Sequence, residues 1–254
     1  MIVRGLSPLR RAVQFLTILP VGRLSAPSPA DLAGSMAWFP LVGAAIGGAA
    51  GAFGWFVGGG GLVSAVAALA AAALLTGALH LDGFVDTVDG LVGGRDREAR
   101  LAIMRDSRAG AASVVAVWFL LSLKAVLLAL LSGSSFVASL TLATGLGRWG
   151  QVLSSFYFPY ARRDGGAGKD FVEEVDGRAL LLATLCVIVI AGALAGWGPL
   201  SPIGGLGAAA SVGALCVVSG IFFRRRIGGV TGDTLGAASE ISELSVLALF
   251  AALR

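Results

Sequence analysis

The chain has 254 residues, of which 56% are hydrophobic and only 13% charged, with a formal net charge of +4. Soluble domains carry roughly 25% charged residues, so this composition excludes a water-soluble globular protein and indicates one that buries most of its surface in lipid. No charged or Pro/Ser-rich linker divides the chain, and residues 1–254 read as a single all-α membrane domain.

The 38 glycines fit that reading, because membrane helices use small residues to bring their backbones together. Cys186 and Cys216 lie far apart in apolar stretches, without the paired spacing of a zinc site or disulfide framework, and no chemistry is assigned to them. At the N-terminus, Arg4, Arg10 and Arg11 precede a short apolar run over 12–22. Pro20 and Arg23 break that run, so residues 1–35 are expected to lie at the membrane surface rather than to act as a cleaved signal peptide.

Crossing the hydrocarbon core takes roughly 20 apolar residues. Seven stretches qualify, over 36–57, 62–81, 112–131, 136–158, 179–197, 204–223 and 235–253. The predicted fold is therefore a polytopic integral membrane bundle of about seven transmembrane helices, with six to eight as the range. Basic residues collect in alternate connections: Arg4, Arg10, Arg11 and Arg23 before the first span, Arg95, Arg97, Arg100, Arg105 and Arg108 after the second, Arg162, Arg163, Lys169 and Arg178 after the fourth, and Arg224 to Arg226 after the sixth. The intervening connections, 58–61, 132–135 and 198–203, carry none. By the positive-inside rule the N-terminus is expected in the cytoplasm and the C-terminus outside.

The segment at the end of the second span reads His80-Leu-Asp82-Gly-Phe-Val-Asp86-Thr-Val-Asp89-Gly90. On a helix, Asp86 and Asp89 project about 40° and about −20° from Asp82, so the three carboxylates share one face. Like charges so close call for a cation, and oxygen ligands select a hard ion such as Mg²⁺, which takes one or two carboxylates plus substrate phosphate oxygens. The alternative is a solvated acidic helix end. The interleaved Phe84, Val85 and Val88 argue for an embedded helix instead. His80 lies on the opposite face and is read as structural or capping rather than as a ligand.

Downstream, Arg95, Arg97 and Arg100 serve equally well as topology determinants or as phosphate ligands. Arg105 and Arg108, which flank Asp106-Ser107, are stronger phosphate candidates. A third segment, Gly228-Gly-Val-Thr231-Gly232-Asp233-Thr234, opens the last span with Thr231 and Asp233 as N-cap candidates. Glu240 lies roughly 10 Å further along that apolar helix, with Glu243 one turn beyond. Both are expected to face a cavity, or else to pair with Lys124 or Arg148, the basic residues inside apolar stretches.

Three blocks, HLDGFVDTVDG at 80–90, IMRDSRAG at 103–110 and GGVTGDTLGA at 228–237, together resemble the cobalamin synthase family, the adenosylcobinamide-GDP ribazoletransferases. The FLTILP and WFPLVGAAIG stretches are similar too, so the likeness reaches from residue 15 to 243. Phe84-Val85 stands where that family usually has Leu-Ala, a departure that leaves the aspartates intact. The CDP-alcohol phosphotransferase pattern fits less well, because Asp86-Thr87 replaces its Ala-Arg. An ion-coupled transporter is a further alternative, disfavoured because the aspartates lie at the rim rather than at the midplane.

The resemblance implies a Mg²⁺-dependent enzyme acting at the cytoplasmic face of the cell membrane on adenosylcobinamide-GDP and α-ribazole or its 5′-phosphate. With it, residues 80–111 become the catalytic cytoplasmic loop and Asp82, Asp86, Asp89, Arg105 and Arg108 the expected catalytic set. Arg95, Asp106, Ser107, Asp233 and Thr234 become the expected binding residues, and Asp82, Asp86, Asp89, Asp233 and Glu240 the expected metal ligands. Membrane lipid is an expected partner and nucleic acid is not, while a homo-oligomer is left open.

Overall fold

The computed structural model describes residues 7–166 and 168–254; Arg4 of the N-terminal basic group lies outside them. Among the described residues the regular elements are all helices, and the sole β pairing is an isolated bridge between Tyr160 and Val230. Five helices are long and apolar enough to cross a membrane: 29–58, Ala111–Ala129, Gly177–Gly196, Pro202–Ile227 and Gly232–Ala252. The chain is thus an all-α polytopic membrane bundle, with a count of spans that departs from the expected seven at two places.

The first departure is the stretch 62–81, expected as one straight span. Helix α4 (Gly61–Thr76) stops early, because Gly77 and Ala78 both adopt left-handed backbone angles with φ of 58°. Such a reversal ends a helix, and α5 (Leu79–Gly93) starts again with its axis turned by 90°. Counted together as one bent span, the pair raises the total to six. The 80–111 segment, expected as a loop, is consequently mostly helical: α5 is followed by the short α6 (Arg97–Ile103), capped by Asp96.

The second departure is α8 (Gly133–Tyr157), which is long enough to span but is not among the sufficiently apolar helices. It buries Thr144, Arg148, Gln151, Ser154 and Ser155 because other helices, not lipid, enclose it. Its closest neighbour is α3 (Phe39–Gly58). At Gly47 of α3 a Cβ atom would fall 2.5 Å from the Leu140 carbonyl oxygen, so only glycine allows these two backbones to approach as they do. Leu140, Leu142, Ala143 and Leu146 of α8 then form the centre of the main apolar core with Leu128 and Leu247 from neighbouring helices.

At one end of the bundle the basic connections converge. Arg97 donates to the carbonyl oxygens of Ile227 and Ala161, both at 2.7 Å, and Arg100 to that of Arg226 at 3.2 Å. Ala161 N–H donates to Val230 and Val230 N–H to Pro159, tying the connection after α8 to the turn before the last helix. The N-terminal helix α1 (Ser7–Leu16) buries Ala12 and Leu16. Its Arg11 donates to Ser25 and lies 3.6 Å from Asp31. The N–H of Ile18 donates to the Leu75 carbonyl near the α4–α5 bend. Segments that are distant in sequence and share a basic character therefore form one surface.

Candidate active site

Helix α5 meets α12 (Gly232–Ala252) almost backbone to backbone. A Cβ on Gly83 would lie 2.9 Å from the Asp233 carbonyl oxygen, and one on Gly236 would lie 3.2 Å from that of His80. The other face of α5 is apolar, with Phe84 packed against Leu120 and Ala237 and flanked by Leu81 and Val88. That split between an apolar and an acidic face fixes the helix rotation, so Asp82 and Asp86 run along the seam beside Asp233. Asp86 feels the charges of Asp82, Asp233 and Asp89, and that of Arg162.

Asp233 has two partners of its own. Arg162 Nη2 donates to its Oδ2 at 2.6 Å, and Thr231 Oγ1 donates to the same oxygen at 3.2 Å. The cap of α12 is Thr231 rather than Asp233: Thr231 Oγ1 accepts from Thr234 N–H, while Thr234 Oγ1 accepts from Thr231 N–H. Thr234, expected as a binding residue, is buried and occupied by this reciprocal cap, so it shapes the turn.

Asp89 stands apart from the seam. Its Oδ2 accepts from Gly110 N–H and Ser113 Oγ, both at 2.7 Å, and so satisfies the start of α7 (Ala111–Ala129), where helical N–H groups lack partners. Over the seven residues from Asp82 to Asp89 a helix rises roughly 10 Å. Accordingly, among the described residues no three His, Cys, Asp or Glu side chains gather closely enough to enclose an ion by themselves. The arrangement offers hard carboxylate oxygens in pairs, the donor set that suits an ion completing its shell with water and phosphate oxygens.

Glu240, expected to reach the aspartates, is directed elsewhere. Lys124 Nζ donates to Glu240 Oε2 at 2.5 Å and to Glu243 Oε2 at 2.8 Å. Arg148 Nη1 pairs with Glu243 and donates to Ser239 at 2.9 Å. All four charged side chains are buried, so two cations offset two anions inside the bundle, and removing one partner would strand a charge there. This is the pairing alternative left open by the sequence, and it leaves Glu240 without a place at the seam.

The arginines divide by their engagement. Arg105 grips Asp164 with two nitrogens at 2.5 and 2.8 Å, and Asp164 is held below the ordinary carboxylate range by those bonds. Arg108 is 88% exposed and clasps Asp106 within its own loop, holding that carboxyl down to about 2. Arg108, Asp106 and Asp89 line an open cavity of about 270 Å³. Arg95 and Ser107 are exposed on the same connection. Arg162 has no place in the sequence-based set, because in Arg162-Arg163 it reads only as a topology signal; its contact with Asp233 exists only in three dimensions.

The family model for cobalamin-5-phosphate synthase matches residues 8–251. An adenosylcobinamide-GDP ribazoletransferase of Roseiflexus sp. (strain RS-1) is 40% identical over 95% of this chain and 88% of its own. Proteins of the same name from Syntrophobacter fumaroxidans and Pseudomonas syringae pv. syringae are each 39% identical, over 93% and 97% of this chain and 94% and 99% of theirs. No solved structure matches. With its three motif blocks brought to one end of a membrane bundle, and likeness along nearly its whole length, the chain belongs to the cobalamin-5-phosphate synthase family.

Proposed function

We propose that this protein joins adenosylcobinamide-GDP to α-ribazole, or to its 5′-phosphate, at the cytoplasmic face of the membrane. The carrying observation is the seam itself: Asp82 and Asp86 from the first motif block meet Asp233 from the third, where Gly83 removes any side chain between the helices. In the reaction the 3′-hydroxyl oxygen of the ribazole attacks the cobinamide-side phosphorus of the diphosphate. The new P–O bond forms as the bond to GMP breaks, GMP keeps the bridging oxygen, and the hydroxyl proton is released.

A pair of carboxylates drawn from Asp82, Asp86 and Asp233 would hold Mg²⁺, which when bound supplies positive charge to the phosphate oxygens. A carboxylate of this group would also take the hydroxyl proton. Arg162 fixes Asp233, while the exposed Arg95, Arg105 and Arg108 on the connection after α5 would meet the diphosphate, whose oxygens guanidinium forks match. The basic end of the bundle then faces the cytoplasm, where water-soluble nucleotides arrive. The test is GMP release by the purified protein in liposomes. Release is expected only when adenosylcobinamide-GDP, α-ribazole and Mg²⁺ are all present, and release without α-ribazole would point to a hydrolase instead.

A further inference from the structure

Beside the seam lies a cavity of about 140 Å³, smaller than the roughly 300–1,000 Å³ pockets that enclose a whole drug-sized ligand. It has room for one ring system. Part of its wall is aromatic, built by rings from three separate segments: Phe15 of α1, Phe39 of α3 and Phe171 of α9 (Lys169–Glu173). Phe15 and Phe171 have ring centroids 4.5 Å apart, and Phe39 lies 5.7 and 5.8 Å from them. Three rings drawn together from different segments make a surface suited to a planar apolar partner.

Deeper in the same cavity are His80 and Gln151, 3% and 5% exposed. Apart from the side-chain bond between the two residues, His80 Nδ1 and Gln151 Oε1 have no hydrogen-bond partner among the described residues. Buried polar atoms are nearly always satisfied, so a couple bonded only to each other at a cavity wall can take up a ligand's polar atom. The cavity is also lined by Asp82 and Asp233, the carboxylates it shares with the seam.

These features select among the parts of the two substrates, so the inference rests on the function proposed above. Phosphate is disfavoured, because the charged residues lining the cavity are carboxylates and no lysine or arginine lines it among the described residues. Guanine carries donors and acceptors around most of its edge; beyond the carboxylates of Asp82 and Asp233, which can serve its donors alone, the cavity offers only the His80 and Gln151 side chains, and its acceptors would stay largely unpaired. We propose that the cavity seats the flat aromatic base of the ribonucleoside acceptor. The three phenylalanines hold its faces and edges, and the His80 ring N–H donates to its free ring nitrogen. The attached ribose then passes Asp82 and Asp233, which brings its hydroxyl to the carboxylate seam.

Separate KM values for the two substrates, measured in liposomes, test this. Phe171→Ala is expected to raise KM for α-ribazole on the order of tenfold while KM for adenosylcobinamide-GDP changes by less than about twofold. Phe171→Leu, which keeps apolar bulk without the ring, should give a smaller change in the same direction and serves if the alanine variant does not fold. A wild-type enzyme that transfers ribazole while the Phe171 variants alter only the donor KM, or neither KM, would overturn the subsite alone. Absence of any transfer by the wild type would overturn the functional reading on which it rests.

Discussion

Asp82, Asp86 and Asp233 carry the proposed chemistry, and the residues around them divide into groups that hold the loops and groups that remain at the rim. Arg97 belongs to the first group, since it satisfies the carbonyls of Ala161 and Ile227. Arg97→Ala is expected to destabilise the protein by about 1–3 kcal/mol, the usual cost of leaving such acceptors unpaired. Arg105→Ala and Arg108→Ala should instead keep the thermal midpoint near wild type and lower turnover, as loss of phosphate-facing charge does. Thermal melts beside specific activity at matched protein levels check both halves, and equal small losses of activity in all three variants would return these arginines to a topological role.

The exposed loop offers a pH test. Arg108 depresses the Asp106 carboxyl from 3.8 to about 2, so the clasp is fully present above the ordinary carboxylate value and is lost as pH falls through about 2. Titration of labelled aspartate by NMR should find Asp106 protonating near that lower value, and near its ordinary value in Arg108→Ala. The acidic spacing at 82, 86 and 89 is legible in the sequence because helical geometry alone puts these residues on one face. Arg162 is not, because its pairing with Asp233 spans 71 residues. Glu240 misleads for a similar reason, since only the fold shows that Lys124 reaches it first.

Among the elements, the α5–α12 contact matters most, because it sets the distance between two motif blocks. Gly83→Val would press a branched side chain into the Asp233 backbone, already 2.9 Å from an added Cβ. It should cost roughly 1–3 kcal/mol as overpacking does, and lower turnover more than the matched change at Gly213, where an added Cβ meets nothing within 4 Å. Equal behaviour of the two variants, in melting and in turnover, would remove the seam from the account. The apolar stretches are legible from hydropathy, and the ends of most helices fall close to where composition changes. The bend at Gly77-Ala78 is not, since those two residues sit inside a continuous apolar run and reveal their left-handed angles only when folded. Helix α8 reads as a lipid-facing span for the complementary reason: its length is visible, and its enclosure by other helices is not.

For the whole molecule, the alternation of basic and uncharged connections anticipates that one end gathers the arginine-bearing segments, and the contacts of Arg97 and Arg100 with distant connections join them there. Cysteines substituted at Arg95 and Arg163 are expected to react with an impermeant label from the cytoplasmic side, and one at Ser134 from the outside. Two sites labelled from the wrong side would invert the orientation and separate the acidic seam from its cytoplasmic substrates.

If the carboxylates of the seam perform the chemistry rather than support the fold, GMP release in liposomes across a Mg²⁺ titration will separate wild type from Asp86→Asn, a change that nearly preserves shape. The variant is expected to remain folded in the membrane, to require more Mg²⁺ and to turn over on the order of a hundredfold more slowly. A variant with the wild-type rate and the wild-type Mg²⁺ requirement would contradict that role.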